Sequence, residues 1–337
     1  MLRSSDRPLV DVYDLGMFDL DGVVYVGEEA VPGAAPALAR ARESGWPVAF
    51  VTNNASRTPQ AVVDKLEGVG VRAGAEDVVT SAQAAAHLLR ETHGDGAAIA
   101  CLGSEGLVEA LREVGLRAVA VDDDAAVGIV SGYAPEAVWR DIMHTAVLVR
   151  DGLPWVASNR DLTLPTPWGT APGHGVLVGL IEEFAGVTPR VAGKPEPPLL
   201  EETIRRVGGD HPLMVGDRLD TDIEGAANVD VDSLLVMTGV TDLAELVAAE
   251  GALRPTYVAS DLAGLFEPHP APEQEAEDWS CGGWTASAAG GSLTVSGSGS
   301  DSDWWRAVAA AAWRHLDESG RPVDTGDAVP PGGRHAR

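Results

Sequence analysis

Lysine is almost missing from this chain: of 24 basic residues only Lys65 and Lys194 are lysine. Cysteine is as scarce, with Cys101 in an apolar strand-like run and Cys281 in the tail, too few for a disulfide framework or a cysteine-built metal site. No apolar run approaches the roughly 18 residues that a membrane span requires. The N-terminal segment lacks the apolar stretch of about 7 to 15 residues and small-residue cleavage site of a secretory signal. Neither membrane insertion nor secretion is expected, and the cytoplasm is the default location. Positive charge is outweighed throughout: the formal net charge is −27. Nucleic-acid and anionic membrane partners need clustered Lys and Arg, so both are excluded as expectations. The same charge repels a small anionic substrate at long range, so a phosphate pocket must supply strong local positive potential from a metal ion and a buried cation. Lys194, in a chain that otherwise uses arginine, calls for explanation.

What is present suits a globular protein of about two domains with an appendage: 337 residues, 45% of them hydrophobic, are more than one small core needs. The run Val10 to Phe18 is apolar apart from Asp11 and Asp14 and leads into Asp19-Leu-Asp-Gly-Val-Val-Tyr, a buried strand ending in acid and glycine. A helical pattern over Pro32 to Glu43 follows, then a second apolar run, Pro47 to Val51, ending in Thr52-Asn53-Asn54. Strand, helix, strand implies a parallel sheet, whose ligands sit beyond the carboxyl ends of the strands. A separate α/β series begins near Ala97 and includes a helix from Pro135 to Val149, a strand Pro154 to Ser158, a long Pro- and Gly-rich loop, Asn159 to Gly175, and a helix from Val176. From Arg190 the earlier pattern resumes, through Gly193-Lys194-Pro195 and a strand ending in Gly216-Asp217-Arg218-Leu219-Asp220-Thr221-Asp222.

These patterns predict a discontinuous sheet domain, 8–84 and 190–266, with 85–189 inserted in it as a lid. Residues 267–278 have linker composition. Beyond them, two short β-like runs around a Gly-Gly turn and a helix from Ser302 to Leu316 make a small ββα tail, 279–319, which is too small to stand alone. Disorder is expected over 320–337. The tail holds five of the nine tryptophans, Trp279, Trp284, Trp304, Trp305 and Trp313, which fits core packing or docking. It has no Arg-x-x-Gly-x-Gly/Ala stretch for a coenzyme A pyrophosphate, so acetyl transfer is not read from it.

Asp19 and Asp21, two apart at a strand end, can divide labour beside one magnesium ion, one attacking and the other shuttling a proton; a solvated turn is the plain alternative. Gly22 allows a tight turn whose amides face a phosphate. Thr52 offers a hydroxyl and the amides after it further donors, or else an ordinary Thr-Asn turn. Lys194 can neutralise a phosphate and a carboxylate together. Asp217 and Asp222 offer hard oxygen ligands suited to magnesium, or cap a helix. Asn159, Arg160, Asp161 and His174 lie in the loop expected to face the site, as substrate contacts or as loop caps.

Asp-Leu-Asp-Gly-Val-Val-Tyr, Thr-Asn-Asn, Gly-Lys-Pro and Gly-Asp-Arg-Leu-Asp-Thr-Asp, in that order, resemble the four motifs of the haloacid dehalogenase-like phosphohydrolase superfamily, in particular its nitrophenylphosphatase-like branch. The resemblance covers about residues 8–266 and implies an α/β fold: a Rossmann-like parallel-sheet core domain with an inserted α/β cap domain, here with the small C-terminal ββα appendage. It implies Asp19 as nucleophile, Asp21 as general acid and base, phosphate contacts from Gly22, Thr52, Asn53 and Lys194, and Mg2+ held by Asp19, the Asp21 carbonyl and Asp217, with Asp222 behind them. The implied reaction is hydrolysis of a small phosphorylated metabolite. Because the enzyme region, with its Gly-Tyr-Ala-Pro-Glu-Ala segment and tail, is similar to bacterial glycerol-phosphate phosphatases, glycerol 3-phosphate is the first expected substrate. Phosphoglycolate, pyridoxal phosphate, a phosphomutase reaction and a non-catalytic binding module are the alternatives. A homodimer stays open, because caps of similar enzymes make dimer contacts.

Overall fold

The structure is a computed structural model that describes residues 2–166, 168–326 and 328–331. Two compact units divide it, one formed by the N-terminal segment to Val48 together with the chain from Gly209 onward, the other by Ala49–Gly208. Among the described residues no helix is long and apolar enough to cross a membrane.

In the first unit four parallel strands lie in the order Tyr257–Ala259, Asp232–Val236, Pro212–Gly216, Leu15–Phe18. Their inward runs are almost wholly buried, as unbroken apolar strands of a parallel sheet are. The register pairs Phe18 with Val215 and Gly216 with Leu235. Asp19 and Asp217 therefore emerge at the same edge of neighbouring strands, one residue past the pairing. Gly16 leaves room for the Trp46 ring, whose nearest carbon would lie 2.5 Å from a Cβ there, and the Trp46 indole donates to the Tyr13 carbonyl at 2.8 Å.

The C-terminal part of this unit corrects three expectations. Residues 267–278 are not a linker: Ser5 and His269 exchange backbone hydrogen bonds of 2.8 Å, and Glu273–Glu275 is a strand. His269 is buried because its Nε2 donates to the Gly264 carbonyl (2.8 Å) while its Nδ1 accepts from Arg306 (3.1 Å). Polar residues that satisfy one another can be packed like apolar ones, which composition does not reveal. The two expected β runs and the helix of the ββα tail are present, but two further strands precede them. Four antiparallel strands, Glu273–Glu275, Asp278–Cys281, Trp284–Ser287 and Thr294–Gly297, lead through the Ser300 cap, which accepts from the Asp303 amide, into the helix Asp301–Ser319. Finally, order continues past 320: Val323 is buried and Asp324 pairs with Ser292, while the end of the expected disordered segment, 332–337, lies outside the described residues.

The Asp301–Ser319 helix has apolar neighbours on two sides. It packs on the strands Asp278–Cys281 and Trp284–Ser287 and, opposite, on the strand Tyr257–Ala259 and the helix Leu243–Val247. Trp304, Trp305 and Trp313 share one buried cluster with Leu219, Ile223, Leu235, Leu246 and Val258. The tail thus completes the core of the first unit.

In the second unit the strand Val48–Thr52 runs parallel to Val78–Thr80, with Thr52 opposite Thr80. A five-stranded parallel sheet follows, in the order Arg190–Val191, Trp155–Ala157, Gly128–Ser131, Ala98–Leu102, Arg117–Val119. It is packed by the helices Trp139–Arg150 and His174–Ala185, which together enclose a core of Ala100, Ile129, Trp155, Val178 and Ile181. The helix expected from Pro135 starts at Trp139, since residues 134–137 form a turn closed by the Ala137 amide on the Ala134 carbonyl. The expected long loop Asn159 to Gly175 contains a hairpin, Thr163–Thr166 against Gly169–Pro172, and the next helix begins at His174. Its short strands carry prolines and no alternating apolar pattern, the usual signal for a half-buried strand.

Candidate active site

The first unit supplies acid. Asp19 is half-buried, Asp217 and Asp222 are buried, and the three side chains bring carboxylate oxygens to within 4.8 Å of one another. The sheet register explains the first two. Asp222 arrives by a wide helical turn, Leu219–Ile223, and its Oδ2 accepts from the amides of Asp217 (3.2 Å) and Arg218 (3.1 Å), so it braces the loop that carries Asp217. Asp217 is held from the other side by the Val240 amide, 2.6 Å from its Oδ2, and by the Thr241 amide on its carbonyl. Thr238 donates to the Gly22 carbonyl at 2.6 Å.

Thr238, Gly239, Val240 and Thr241 were not expected at the site, yet they follow an apolar strand, the same signal that marks Thr52. Gly22 has φ +91°, and a Cβ there, or at Gly239, would overlap Asp217 Oδ2; only glycine gives the carboxylate this room. Buried carboxylates this close repel one another unless a cation or protons intervene. Their hard oxygen donors fit a divalent ion such as magnesium. Replacing Gly22 by Ala is expected to weaken magnesium affinity by about tenfold or more, the scale on which support of metal ligands acts, measured by titrating the metal calorimetrically; unchanged affinity counts against this packing. The Asp21 side chain is exposed and lies outside the trio, while its backbone bridges to Tyr25.

The second unit contains a buried cation, Lys194, with 2% relative exposure. Its Nζ lies 3.4 Å from the Val51 carbonyl that it donates to. Asn53 brackets its backbone: Asn53 Oδ1 accepts from the Lys194 amide (2.8 Å) and Asn53 Nδ2 donates to the Lys194 carbonyl (2.9 Å). Gly193 permits this approach, since a Cβ there would stand 2.6 Å from Asn53 Oδ1. The Lys194–Pro195 peptide is cis. Thr52 is buried, and its hydroxyl oxygen accepts from the Asn54 amide at 3.1 Å. Structure therefore gathers Thr52, Asn53 and Lys194 within this unit, as it gathers Asp19, Asp217 and Asp222 within the other.

The loop residues have different surroundings from those expected. Asn159 Nδ2 donates to the Asn53 carbonyl (2.8 Å), and Asp161 Oδ1 accepts from Asn53 Nδ2 (3.0 Å). Arg160 forms a two-pronged ion pair with Glu182, at 2.9 and 2.6 Å. His174 is buried with both ring nitrogens against protein atoms, the Asn159 carbonyl and Ser131 Oγ, which corrects its expectation as a substrate contact. It is the first residue of a helix whose buried face also carries Val178 and Ile181, a placement that the Pro- and Gly-rich sequence around it conceals.

Burial draws His174 down to about 4 against the lifting effect of its bond to Asn159. His269 is likewise drawn down to about 4 by burial and then by the Arg306 charge. The unfolded chain takes up these two protons near 6.5, the folded chain only near 4, so between those values the unfolded state binds more protons and stability falls as the pH falls. Melting temperature is expected to drop progressively from pH 6.5 to 4.5, and the dependence should flatten when His269 is replaced by Gln.

Comparison with known proteins agrees with this geometry. Residues 16–117 match the family described as haloacid dehalogenase-like hydrolase, and residues 191–265 a second, HAD-hydrolase-like family. Residues 281–330 match a GCN5-related N-acetyltransferase like domain. A D-glycerol 3-phosphate phosphatase of Mycobacterium tuberculosis is 39% identical over 338 residues, 95% of this chain and 93% of that protein. An acid sugar phosphatase of Staphylococcus saprophyticus is 35% identical over 252 residues, 74% of this chain and 95% of that protein. Among solved structures, the glycerol phosphate phosphatase of M. tuberculosis in complex with magnesium superposes with a TM-score of 0.84 at 39% identity, over 96% of both chains. A 4-nitrophenylphosphatase of Thermotoga maritima gives a TM-score of 0.70 at 29% identity, over 76% of this chain and 97% of that one. With the motif carboxylates clustered and a relative of this identity along nearly its whole length, the chain belongs to the haloacid dehalogenase-like hydrolase family.

Proposed function

We propose that this chain hydrolyses glycerol 3-phosphate through an aspartyl-phosphate formed on Asp19. It is a magnesium-dependent phosphatase of small phosphate monoesters, as its 39%-identical relative, a D-glycerol 3-phosphate phosphatase with a magnesium complex, supports. The observation that carries the reading is the Asp19, Asp217, Asp222 trio, with Asp19 and Asp217 just past the carboxyl ends of adjacent strands and Asp222 on the helical turn that follows. When bound, magnesium offsets the negative charge of these carboxylates and of the phosphate oxygens. Asp19, the Asp21 carbonyl and Asp217 would hold it, with Asp222 bracing Asp217.

The chemical steps belong to side chains. An Asp19 carboxylate oxygen attacks phosphorus, the bond from phosphorus to the glycerol oxygen breaks, and that oxygen takes the proton of the Asp21 carboxyl group. Asp21, now ionised, removes a proton from water, whose oxygen attacks the same phosphorus. The bond to Asp19 breaks and inorganic phosphate departs. An exposed Asp21 suits a group that must meet first a leaving group and then water. Gly22, Thr52, Asn53 and Lys194 are assigned to the non-bridging oxygens, the last as the cation that the −27 chain must supply locally.

The inserted cap, 85–189 between 8–84 and 190–266, belongs to the same proposal. Four of the five strands of that sheet and most of its apolar core fall within 85–189 and support it; the edge strand Arg190–Val191 lies past the expected boundary. So does a cytoplasmic setting, in keeping with two free cysteines. Substrate choice is tested by kcat/KM across glycerol 3-phosphate, phosphoglycolate, pyridoxal phosphate and sugar phosphates with magnesium present. Glycerol 3-phosphate is expected to lead by about tenfold or more, a difference of roughly 1.4 kcal/mol in the barrier; a lead by any other member replaces it.

A further inference from the structure

His174 has no part in the chemistry above, yet its ring is the hinge of a buried chain of hydrogen bonds. Nδ1 lies 3.0 Å from the Asn159 carbonyl, and Nε2 lies 3.2 Å from Ser131 Oγ. A carbonyl only accepts, so Nδ1 carries the hydrogen. Ser131 Oγ already accepts from the Trp155 indole at 2.9 Å and has one proton of its own to give, which goes to Nε2. In the neutral ring, the form that burial favours, this is the Nδ1–H tautomer, with Nε2 accepting from Ser131 Oγ and both nitrogens satisfied. Ser131, His174, Asn159, Asn53 and Lys194 are all buried.

From Asn159 the chain continues inward. Its carbonyl is taken by His174, its Oδ1 accepts from the Asp161 amide (3.1 Å), and its Nδ2 donates to the Asn53 carbonyl (2.8 Å), which also accepts from Ser81 Oγ (2.6 Å). Asn53 in turn holds both the amide and the carbonyl of Lys194. Fixed rotamers in a supporting shell are what set a functional group to the small tolerance that catalysis needs. We propose that His174 is a positioning residue: through Asn159 and Asn53 it fixes where the Lys194 ammonium meets the phosphate. The proposal rests on the assignment of Lys194 to phosphate binding.

Two variants separate this role from simple packing. The amide of His174→Asn places an N–H where Nδ1–H stands, whereas His174→Phe fills the ring volume and donates nothing. His174→Phe is expected to raise the inhibition constant of inorganic phosphate, and KM for an aryl phosphate, by about tenfold, the effect of losing one buried hydrogen bond. Magnesium affinity should stay unchanged, because the carboxylate trio is braced by other loops. His174→Asn should return the phosphate constants to within about twofold of the parent. Equal weakening of phosphate and magnesium by both variants would mean a structural role alone and overturn the proposal, as would a loss in His174→Asn equal to that in His174→Phe. If His174→Phe does not fold, nitrogen NMR of the parent and the His174→Asn constants decide: a protonated ring or an Nε2–H tautomer at pH 7 overturns it. A parent protein that binds phosphate but turns over no aryl phosphate refutes the phosphatase reading, while the tautomer and the phosphate-binding constants still judge this one.

Discussion

Asp19→Asn is expected to lower kcat by at least about a thousandfold, since the amide is isosteric but is not a nucleophile toward phosphorus. The substitution also removes one of three clustered carboxylates, so magnesium affinity should fall with it. The loss must therefore be shown at saturating metal, where a defect in chemistry persists and one in metal binding is overcome. The partner experiment uses Asp21→Asn. With glycerol 3-phosphate the departing alkoxide needs a proton, and the rate should fall by about a hundredfold to ten-thousandfold. With 4-nitrophenyl phosphate the leaving group needs none. Asp19 should then still be phosphorylated, giving a burst of nitrophenolate equal to the enzyme present, followed by slow hydrolysis because no base activates water. Normal turnover by Asp19→Asn, or the absence of a burst in a metal-loaded Asp21→Asn, would refute the assignment of roles.

The second large effect lies far from the acids. Trp313 is wholly buried, donates to the Leu246 carbonyl at 2.8 Å, and has the Arg254 guanidinium 5.2 Å from its ring centroid. Trp313→Ala is expected to cost about 3–5 kcal/mol and to lower the melting temperature by on the order of 10 °C. It leaves a cavity against Leu246 and Val258 and an acceptor without its donor. Removing the chain beyond Glu267 exposes the same surface together with Ile223 and Leu235, and is expected to yield insoluble protein. A shortened chain that melted like the parent would show the tail to be an accessory. Residues 281–330, which match an acetyltransferase-like domain, include the helix Asp301–Ser319, which packs on the strand Tyr257–Ala259 of the first unit as well as on the tail's own strands.

These two results draw on different kinds of information. Asp19 and Asp217 were legible because each directly follows an apolar run, and adjacent parallel strands deliver such ends to one edge of a sheet; in the second unit Thr52 ends such a run and Lys194 closely follows another. That periodicity is local, and local burial preserves it. Gly22 was legible as a turn, but not as the space reserved for Asp217 Oδ2, because that contact joins residues almost two hundred positions apart. The loop Thr238–Thr241 follows a strand just as Thr52 does, yet its residue types are common ones whose backbone amides, rather than side chains, hold Asp217. Backbone donors leave little trace in composition.

The tail and His174 show the limit most plainly. The strand Glu273–Glu275 is fully exposed at the edge of its sheet, so it carries no apolar alternation, and its acids look like a linker. His174 sits among glycines and prolines that suggest an open loop, and only the packing of its helix reveals it as buried and neutral. By itself the sequence determined the order of strands and acids, and with it the reaction, because those depend on runs of neighbouring residues. Tertiary structure alone decided which polar groups are partnered in the interior, and so which ones support the site from behind: hydrogen bonds between distant segments balance desolvation only once the chain has folded.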